Sequence, residues 1–461
     1  MNGKQLRDRQ DEIRALYLRD ERPWVLGYSG GKDSTTALQL IWYAIAELPK
    51  DQRRKPIYII SSDTLVETPT MVGYIDASLN RMSEGAKSQE LPFSAQKVSP
   101  EISDTFWVNL LGRGYPAPSN KFRWCTERLK IDPANKFILD AVAKHGEVIV
   151  ILGVRSSESA TRAQVMNLHK IQGSTLSRHS TLPNAFVYTP IEDFTVDDVW
   201  NYLLQAPSPW GNNNRDLVTM YRNAQAGECP LVVDKSTASC GNSRFGCWVC
   251  TVVSRDKSME AMIENGEEWM QPLLDYRDLL ASTQDPSAKG QVRDHKRRNG
   301  RISLKSDGGI IFGPYKLEFR KALLKRLLET QLEIQQKGPN QAEKLITDAE
   351  LHEIRRLWKS ELQDWEDSVP QIYRQVIGSD IEWIRDEQPL FAGSERQLLS
   401  EISERHDVPD DLLAKLVEIE RELNGMSRRS SVFGRIDAAF REDWRTREEV
   451  EQTEVEATDA T

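Results

Sequence analysis

A chain of 461 residues, 39% hydrophobic and 28% charged, is long enough for two or three domains around a large core. No apolar run approaches the roughly 18–20 residues of a membrane span, and the charged start lacks the apolar core of a signal peptide. We therefore expect a cytoplasmic protein that does not contact membranes. The net charge of −9 disfavours a free-standing DNA-binding protein, because DNA itself is densely negative.

The first elements predict a phosphate-binding turn. Residues 4–22 have the composition of a polar helix, residues 24–28 form an apolar run typical of a buried strand, and apolar residues then recur at helical spacing from Leu38 to Leu48. A turn between a strand and a helix start directs unpaired backbone N–H groups and the positive end of the helix dipole to one place, which binds anions such as phosphate. The predicted nucleotide-binding residues of this turn are Ser29, Gly30, Gly31, Lys32, Asp33 and Ser34.

Two more apolar runs, at 56–64 and 147–155, predict parallel strands that end in polar residues. Strands that alternate with helices form βαβ units, and ligands bind outside the carboxyl ends of such strands. We therefore predict the α/β class, with a doubly wound, mostly parallel sheet. The adenine is expected beside Ser62 and Asp63, and Gly153 at the next strand end is expected to contact the nucleotide as well.

Four of the five cysteines lie close together, and they are Cys229, Cys240, Cys247 and Cys250. A cytoplasmic protein does not use such a group as a disulfide framework. Four thiolates suit either tetrahedral zinc or an iron–sulfur cluster, and the spacing alone leaves both open. Phe245 and Trp248 would shield a cluster from water, which favours [4Fe–4S]. Four unligated core cysteines are the remaining alternative.

Basic residues gather at two further places. Three cations surround Cys125, where they could bind an anionic substrate and favour the nucleophilic thiolate, and they are Arg123, Arg128 and Lys130. Arg155 and Arg162 follow the third predicted strand, where bidentate contacts with phosphate are the expected use. Surface ion pairs are the alternative for the arginines, and a structural thiol is the alternative for Cys125.

We expect four regions along the chain. A nucleotide-binding domain at 1–205 ends in a helix that Thr195 caps together with Asp198. The regions that follow are a four-cysteine iron–sulfur region at 206–300, a helical region at 301–447 and an acidic, disordered tail at 448–461.

Charged amphipathic helices are predicted at 315–336 and 341–365, and a third from 407 to 423. The basic segment 293–301 stands out in an acidic chain. It could contact a phosphate backbone, or it could be a solvated loop.

The turn at 29–34 resembles the SGGxDS loop of ATP pyrophosphatases, which release pyrophosphate from ATP and activate an oxygen as an adenylate. Over residues 24 to about 204, the chain resembles the phosphoadenylylsulfate reductase family, whose fold is adenine nucleotide alpha hydrolase-like. The segments that carry this resemblance are 29–34, 123–126, 153–162 and 190–195. The chain lacks the C-terminal catalytic cysteine of the reductases, since no cysteine follows Cys250, and it also lacks the adjacent Cys-Cys pair of adenylylsulfate reductases.

Residues 61–69, 106–118 and 313–315, with the four-cysteine insert, resemble the DndC family of sulfurtransferases from bacterial DNA phosphorothioation systems, up to about residue 335. This resemblance implies ATP pyrophosphatase activity and a [4Fe–4S] cluster held by the four cysteines. It also implies a cysteine desulfurase as sulfur donor, other Dnd proteins as partners, and DNA reached through a complex.

In the mechanism that follows from this resemblance, Mg²⁺ and Asp33 help to hold ATP, and a DNA phosphate oxygen attacks the α-phosphorus. Lys32, Arg155 and Arg162 stabilise the developing charge. Sulfur from a persulfide, on Cys125 or the cluster, then displaces AMP, so that sulfur replaces a non-bridging oxygen. A tRNA thiolase, a sulfonucleotide reductase and a non-catalytic nucleotide-gated iron–sulfur scaffold stay open as alternatives.

Overall fold

A computed structural model describes residues 3–158, 160–223, 246–384, 393–423 and 429–452. Within these ranges a six-stranded sheet has the order β3-β2-β1-β4-β6-β5. The strands are β1 (Trp24–Gly27), β2 (Ile57–Ser62), β3 (Phe93–Val98), β4 (Val148–Ile151), β5 (Ser177–Arg178) and β6 (Ala185–Tyr188). Neighbouring strands are parallel except β5 and β6, which confirms the predicted mostly parallel α/β sheet.

The described ranges also contain helices throughout the chain. They are α1 (Gly3–Leu18), α2 (Lys32–Ala46), α3 (Pro69–Ser88), α4 (Trp124–Thr126), α5 (Asp132–His145), α6 (Ala160–Leu168), α7 (Val196–Gln205), α8 (Asn214–Asn223), α9 (Lys257–Glu264), α10 (Gln271–Ser282), α11 (Pro286–Val292), α12 (Leu317–Lys337), α13 (Asp348–Leu362), α14 (Ser368–Ile377), α15 (Gly393–His406), α16 (Asp410–Leu423) and α17 (Ser431–Phe440). Within the described ranges, no helix combines the length and apolar character that a membrane span requires.

The chain divides into two compact units. Unit 1 comprises residues 1–106 and 118–277, and unit 2 comprises 107–117 and 278–461. The boundaries expected from the sequence, near 205, 300 and 447, stay predictions.

Unit 1 holds the sheet, and apolar side chains cover both of its faces. On one face Trp24 and Leu26 pack with α2, where Trp42 stacks on Phe93 with ring centroids 4.4 Å apart. On the other face Val25 and residues of β4 pack against α5. The order of the strands reverses between β1 and β4, so the crevice for a ligand opens at the carboxyl ends of these two strands.

The predicted cap of α7 is confirmed. Thr195 accepts a hydrogen bond from the Asp198 backbone N–H, and the Asp198 side chain accepts one from the Thr195 N–H. This reciprocal pairing satisfies two donors at the helix start and fixes where α7 begins.

Unit 2 is helical in its described part, and α12, α13 and α14 pack together. The helix expected at 341–365 is shorter in the structure. It begins at Asp348, because Thr347 and Glu350 form a capping box there, and it ends at Leu362 before Gln363 adopts a left-handed conformation. The helix expected from 407 to 423 begins at Asp410.

Helices α16 and α17 enclose a small apolar core of Leu412, Ile419, Val432 and Ala439, and α15 packs against α16. The expected disordered tail begins differently, because residues 448–452 are helical and Val450 is 1% exposed. The rest of that tail, 453–461, lies outside the described residues.

Candidate nucleotide and cysteine site

The turn at 29–34, predicted to bind phosphate, has the backbone conformation that its glycines permit. Gly30 has a φ of +73°, and a Cβ there would lie 2.5 Å from Cδ1 of Ile75. The Ser29 N–H donates to Oγ of Ser34 over 3.2 Å, which closes the turn. Helix α2 then begins after Gly31 without a side-chain cap. The first turn of this helix is therefore suited to an anion.

Asp33 lies between two cations. Its Oδ2 accepts from Nζ of Lys32 at 2.9 Å, and its Oδ1 accepts from Nε of Arg155 at 2.7 Å. Lys32 and Arg155 are both buried, whereas Asp33 keeps a small exposed fraction of 15%. The structure thus brings three of the predicted catalytic residues together. It also gives Arg155 a positioning contact that the sequence did not predict, since this arginine holds Asp33.

Gly153 packs directly on the turn. A Cβ at this position would lie 2.7 Å from both the Asp33 carbonyl oxygen and Cα of Ser34. No side chain other than hydrogen fits there. This residue, expected to contact the nucleotide, thus sets how closely the end of β4 approaches the start of α2.

Ser62 and Asp63, the predicted adenine contacts at the end of β2, differ from each other in their hydrogen bonding. Oγ of Ser62 is buried and makes no hydrogen bond within the described part of the chain. Asp63, by contrast, accepts from Nζ of Lys97 at 3.1 Å and from the Leu65 N–H at 3.0 Å. Leu65 has a φ of +63°, a conformation that few non-glycine residues adopt. Ser62 thus has unused hydrogen-bonding capacity for a ligand, whereas Asp63 shapes the loop.

The turn that contains Cys247 pairs with the loop that follows β2. The Trp248 N–H donates to the Val66 carbonyl at 3.0 Å, and the Thr68 N–H donates to the Gly246 carbonyl at 3.1 Å. Oγ1 of Thr64 lies 3.3 Å from Sγ of Cys247, within hydrogen-bond distance. The cysteine turn therefore lies at the same strand end as the expected adenine site, although 180 or so residues separate the two in sequence.

Three ionisable groups interact beside this turn. Desolvation raises the pKa of the Cys247 thiol and of the Glu67 carboxyl, while the positive charge of Lys130 acts on both in the opposite direction. Lys130, expected to bind substrate, therefore lies near the cysteine turn. Glu67 was not predicted as a site residue, although a carboxylate five residues beyond a strand end was a signal that could have marked it.

The residues around Cys125 form an unusual helical segment. A short helix, α4, is followed by a wider π-type turn, Glu127–Ile131, and then by α5. Such turns occur often at functional sites. Cys125 is half-buried and forms no disulfide within the described ranges. Arg128 forms an ion pair with Asp104, and Arg123 donates to Asn120 at 2.9 Å.

Two cysteines of the predicted metal site can be placed. The Cys250 N–H donates to the Cys247 carbonyl at 3.1 Å, so the two thiols project from one tight turn. The guanidinium of Arg277 holds this turn through the Cys250 and Ser254 carbonyls, each at 3.0 Å. Trp248 is buried beside it. A tight turn held by Arg277 and backed by buried Trp248 fits two thiolate ligands of a zinc ion or an iron–sulfur cluster.

The other predicted residues fall outside the described part of the chain. They are Cys229, Cys240 and the side chain of Arg162. Among the described residues, no group of three or more His, Cys, Asp or Glu side chains is arranged to hold a metal ion. The four-cysteine site therefore stays a prediction.

One contact at the turn could not have been predicted from local pattern. Tyr221 accepts a hydrogen bond from the Lys32 N–H at 3.3 Å, and its ring centroid lies 5.4 Å from Nζ of Lys32. An aromatic face near an ammonium group stabilises the positive charge. Tyr221 therefore helps to hold Lys32 at the start of α2.

The sheet order and the glycine turn at the strand reversal define an α/β domain of the adenine nucleotide alpha hydrolase-like fold. Residues 23–253, half of the chain, match the family model of the phosphoadenosine phosphosulfate reductase domain. The chain belongs to this family. Residues 394–441 match the model of a small protein found in certain Dnd DNA modification systems, which links the chain to these systems.

Two relatives are themselves uncharacterised proteins. One, from Methanocaldococcus jannaschii, is 23% identical over 290 residues, which cover 62% of this chain and 49% of the relative. The other, from Escherichia phage 186, is 37% identical over 84 residues, which cover 18% of this chain and 23% of the relative. The chain thus spans half or less of the length of the curated relatives it matches.

Two solved structures are distantly similar. One is Candida glabrata FMN adenylyltransferase in complex with FAD and inorganic pyrophosphate, which is 12% identical with a TM-score of 0.26. The matched region covers 44% of this chain and 57% of the adenylyltransferase chain. The other is the U34-tRNA thiolase NcsA from Methanococcus maripaludis with its [4Fe–4S] cluster, which is 10% identical with a TM-score of 0.27. The matched region covers 62% of this chain and 81% of the thiolase chain. Likenesses this weak carry no conclusion about the chemistry of this chain.

Proposed function

We propose that the chain is an ATP-dependent sulfurtransferase of the DndC type, which adenylates a DNA backbone phosphate and replaces a non-bridging oxygen with sulfur. The observation that carries this proposal is the pairing of the Cys247 turn with the loop after β2. It puts a cysteine-bearing turn at the carboxyl end of β2, the side of the sheet at which α/β folds bind their ligands. A nucleotide site alone would support adenylation, and the cysteine turn adds a reason to expect sulfur chemistry.

In the first step the phosphates of ATP lie on the turn at 29–34. An oxygen of the DNA phosphate attacks the α-phosphorus, and pyrophosphate leaves. Lys32 and Arg155 supply positive charge, with Arg162 as a third candidate, and stabilise the charge that develops on the phosphoryl oxygens. Asp33 is the carboxylate that would hold Mg²⁺, which when bound neutralises the charge on the leaving pyrophosphate.

In the second step Cys125 carries sulfur as a persulfide that a cysteine desulfurase supplies. The terminal sulfur attacks the adenylated DNA phosphorus, the phosphorus–oxygen bond to AMP breaks, and AMP leaves. A second thiol then cleaves the sulfur–sulfur bond, which leaves phosphorothioate DNA and a disulfide. Arg123, Arg128 and Lys130 would bind the anionic substrate around this thiol.

Cys229, Cys240, Cys247 and Cys250 are the residues that would hold a [4Fe–4S] cluster, which when bound would supply a redox-active centre beside the nucleotide site. If Cys125 has no role in transfer, this site is the other candidate carrier.

Other Dnd proteins are the expected partners. The support for this is the segment 394–441, which is similar to a small protein of Dnd systems.

Two measurements test the proposal. Purified protein with Mg²⁺ and ATP should release pyrophosphate, and DNA from cells that carry the gene with its neighbouring genes should contain phosphorothioate dinucleotides by mass spectrometry. Deletion of this gene alone should remove them. Pyrophosphate release without any phosphorothioate would leave an adenylating enzyme with a different acceptor, such as tRNA.

A further inference from the structure

A cleft of about 800 Å³ lies within unit 2, outside the site described above. One wall consists of residues 294–300 and the start of α12. The other wall is built from the segment that resembles the Dnd small protein, with Arg396, Lys415 and Arg435 along it. The two walls of the cleft therefore come from different parts of unit 2. One is formed by residues before 394, and the other is formed by the C-terminal module, 394–441.

Several contacts join the two walls. The Asp443 N–H donates to the Gly300 carbonyl at 2.9 Å, and Nζ of Lys296 lies 4.4 Å from the ring centroid of Trp444. These contacts attach the chain directly after the module to the basic segment 293–301. The cleft is therefore a built feature of this fold.

The cleft is basic in a chain that is acidic overall. Ten lysines and arginines line it, against eight carboxylates. Most of those carboxylates already pair with a cation, as Glu361 does with Arg298 at 3.2 Å. Lys296, Arg297 and Lys316, in contrast, form no ion pair with a carboxylate within the ranges that the structure describes. Positive charge concentrated between low-dielectric walls attracts a polyanion.

The basic segment itself divides into two roles. Arg293 is partly buried, and its guanidinium donates to the Gly313 carbonyl at 2.7 Å, so it holds the backbone. Arg297 and Arg298 are exposed and line the cleft. Because Arg298 pairs with Glu361, Arg297 is the exposed arginine of this segment that is available to a ligand.

We propose that this cleft binds the phosphate backbone of duplex DNA, and that the C-terminal module supplies its second wall. The choice of DNA among polyanions rests on the proposed function. Contacts from lysine and arginine to phosphate neutralise charge and release counterions, so they bind without reading sequence. The module then closes one side of the binding site. Without it, the rest of unit 2 would present an open basic surface and not a cleft.

The first test uses the full-length protein, a fluorescent DNA duplex and no ATP. The double variant Lys296→Glu with Lys316→Glu should weaken binding by about tenfold or more and reduce the slope of log affinity against log salt by about two. The control is Lys305→Glu with Lys325→Glu, two exposed lysines of unit 2 that do not line the cleft. It makes the same change of charge and should bind within about twofold of the parent.

A second pair tests the wall built by the module. Arg435→Glu, which lies in the cleft, should weaken binding, whereas Arg405→Glu, exposed on the same module and outside the cleft, should not. The variant Arg297→Glu with Lys316→Glu keeps the contact between Lys296 and Trp444, so a loss of binding there cannot come from a detached module. Thermal melting checks the folding of each variant.

Equal losses in the cleft and control variants, or no loss in either, would overturn the inference, as would no measurable DNA binding by the intact protein at low salt. Tighter binding of an RNA duplex of the same length, lost on the same reversal, would assign the cleft to RNA instead. Because ATP is absent, the result is independent of sulfur transfer. If phosphorothioation fails while the cleft still binds DNA, only the proposed function is contradicted. If phosphorothioation occurs but the cleft does not bind DNA, only the inference about the cleft is contradicted.

Discussion

Arg155 and Asp33 are 122 residues apart in sequence, and a hydrogen bond of 2.7 Å joins Nε of the arginine to Oδ1 of the aspartate. This contact connects the end of β4 to the first turn of α2. Lys32 holds the other carboxylate oxygen, so one aspartate positions both cations of the candidate phosphate site.

Asp33→Asn should therefore affect both stability and chemistry. It leaves two buried cations without their carboxylate, and we expect the free energy of unfolding to fall by about 1–3 kcal/mol. Pyrophosphate release should fall by about 100-fold or more, because the charge that stabilises the transition state is no longer positioned. Asp76→Asn, which removes an exposed partner of Lys97, serves as control and should cost less than about 1 kcal/mol. Parental pyrophosphate release by Asp33→Asn would refute the assigned role.

Gly153→Ala tests the packing of the end of β4 on the turn at 29–34. The new methyl group would lie 2.7 Å from the Asp33 carbonyl oxygen, so the turn must move. We expect destabilisation of about 1–3 kcal/mol and a strong loss of pyrophosphate release. In Gly73→Ala a Cβ meets nothing within 4 Å, and that variant, in α3, should be as stable as the parent or slightly more so. Equal behaviour of the two variants would argue against a packing role for Gly153.

Anaerobically purified protein should be brown and contain about four iron atoms and little zinc per chain, since four thiolates suit a [4Fe–4S] cluster. Cys247→Ser and Cys250→Ser should each lose the metal and much of the soluble yield, because metal binding and folding are linked. Cys125→Ser is the matched control and should keep its iron. Stoichiometric zinc in colourless anaerobic preparations would show that the site is a zinc site.

Cys125→Ser should separate the two proposed steps. Adenylation uses the turn at 29–34, so pyrophosphate release should persist, whereas sulfur incorporation into DNA should be lost because the persulfide has no carrier. The measurement is phosphorothioate content in cells together with pyrophosphate release by the pure variant. Wild-type phosphorothioate content in this variant would make Cys125 a structural thiol and leave the four-cysteine site as the carrier.

Lys55 predicts a dependence of stability on pH. It is buried against Tyr17 and Trp24, and desolvation lowers the pKa of its ammonium group to about 8 from an ordinary value of 10.5. Between pH 8 and 10 the unfolded chain therefore binds more protons at this group than the folded chain does, so its contribution to stability rises with pH.

The matching measurement compares the free energies of unfolding of the parent and Lys55→Met by urea titration. The free energy of unfolding of the parent should rise relative to that of Lys55→Met by roughly 1 kcal/mol per pH unit across this window. Lys50→Met, at a lysine that is 70% exposed, should show no such trend. A constant difference between parent and Lys55→Met from pH 7 to 10 would mean that Lys55 does not titrate there.

The local sequence pattern was sufficient to predict those structural elements that depend only on residues close together in the chain. The glycine turn at 29–34, the three predicted strands and the Thr195 cap depend on apolar runs, backbone freedom and hydrogen bonds over a few residues. The start of α13 also had a local signal, the Thr347 and Glu350 capping box, that the helix prediction overlooked. The short strands β5 and β6 carry little pattern of their own, because they form by pairing with each other and with β4.

The sequence by itself therefore determined the fold class, the glycine turn between β1 and α2 and the residue types available for sulfur chemistry. Only the tertiary structure decided that Arg155 holds Asp33, that the Cys247 turn pairs with the loop after β2, and that Lys130 lies near Cys247 and Glu67. These contacts join residues far apart along the chain, and they depend on strand order and register. Side-chain chemistry is carried by each residue, whereas its partners are set by how the whole sheet assembles.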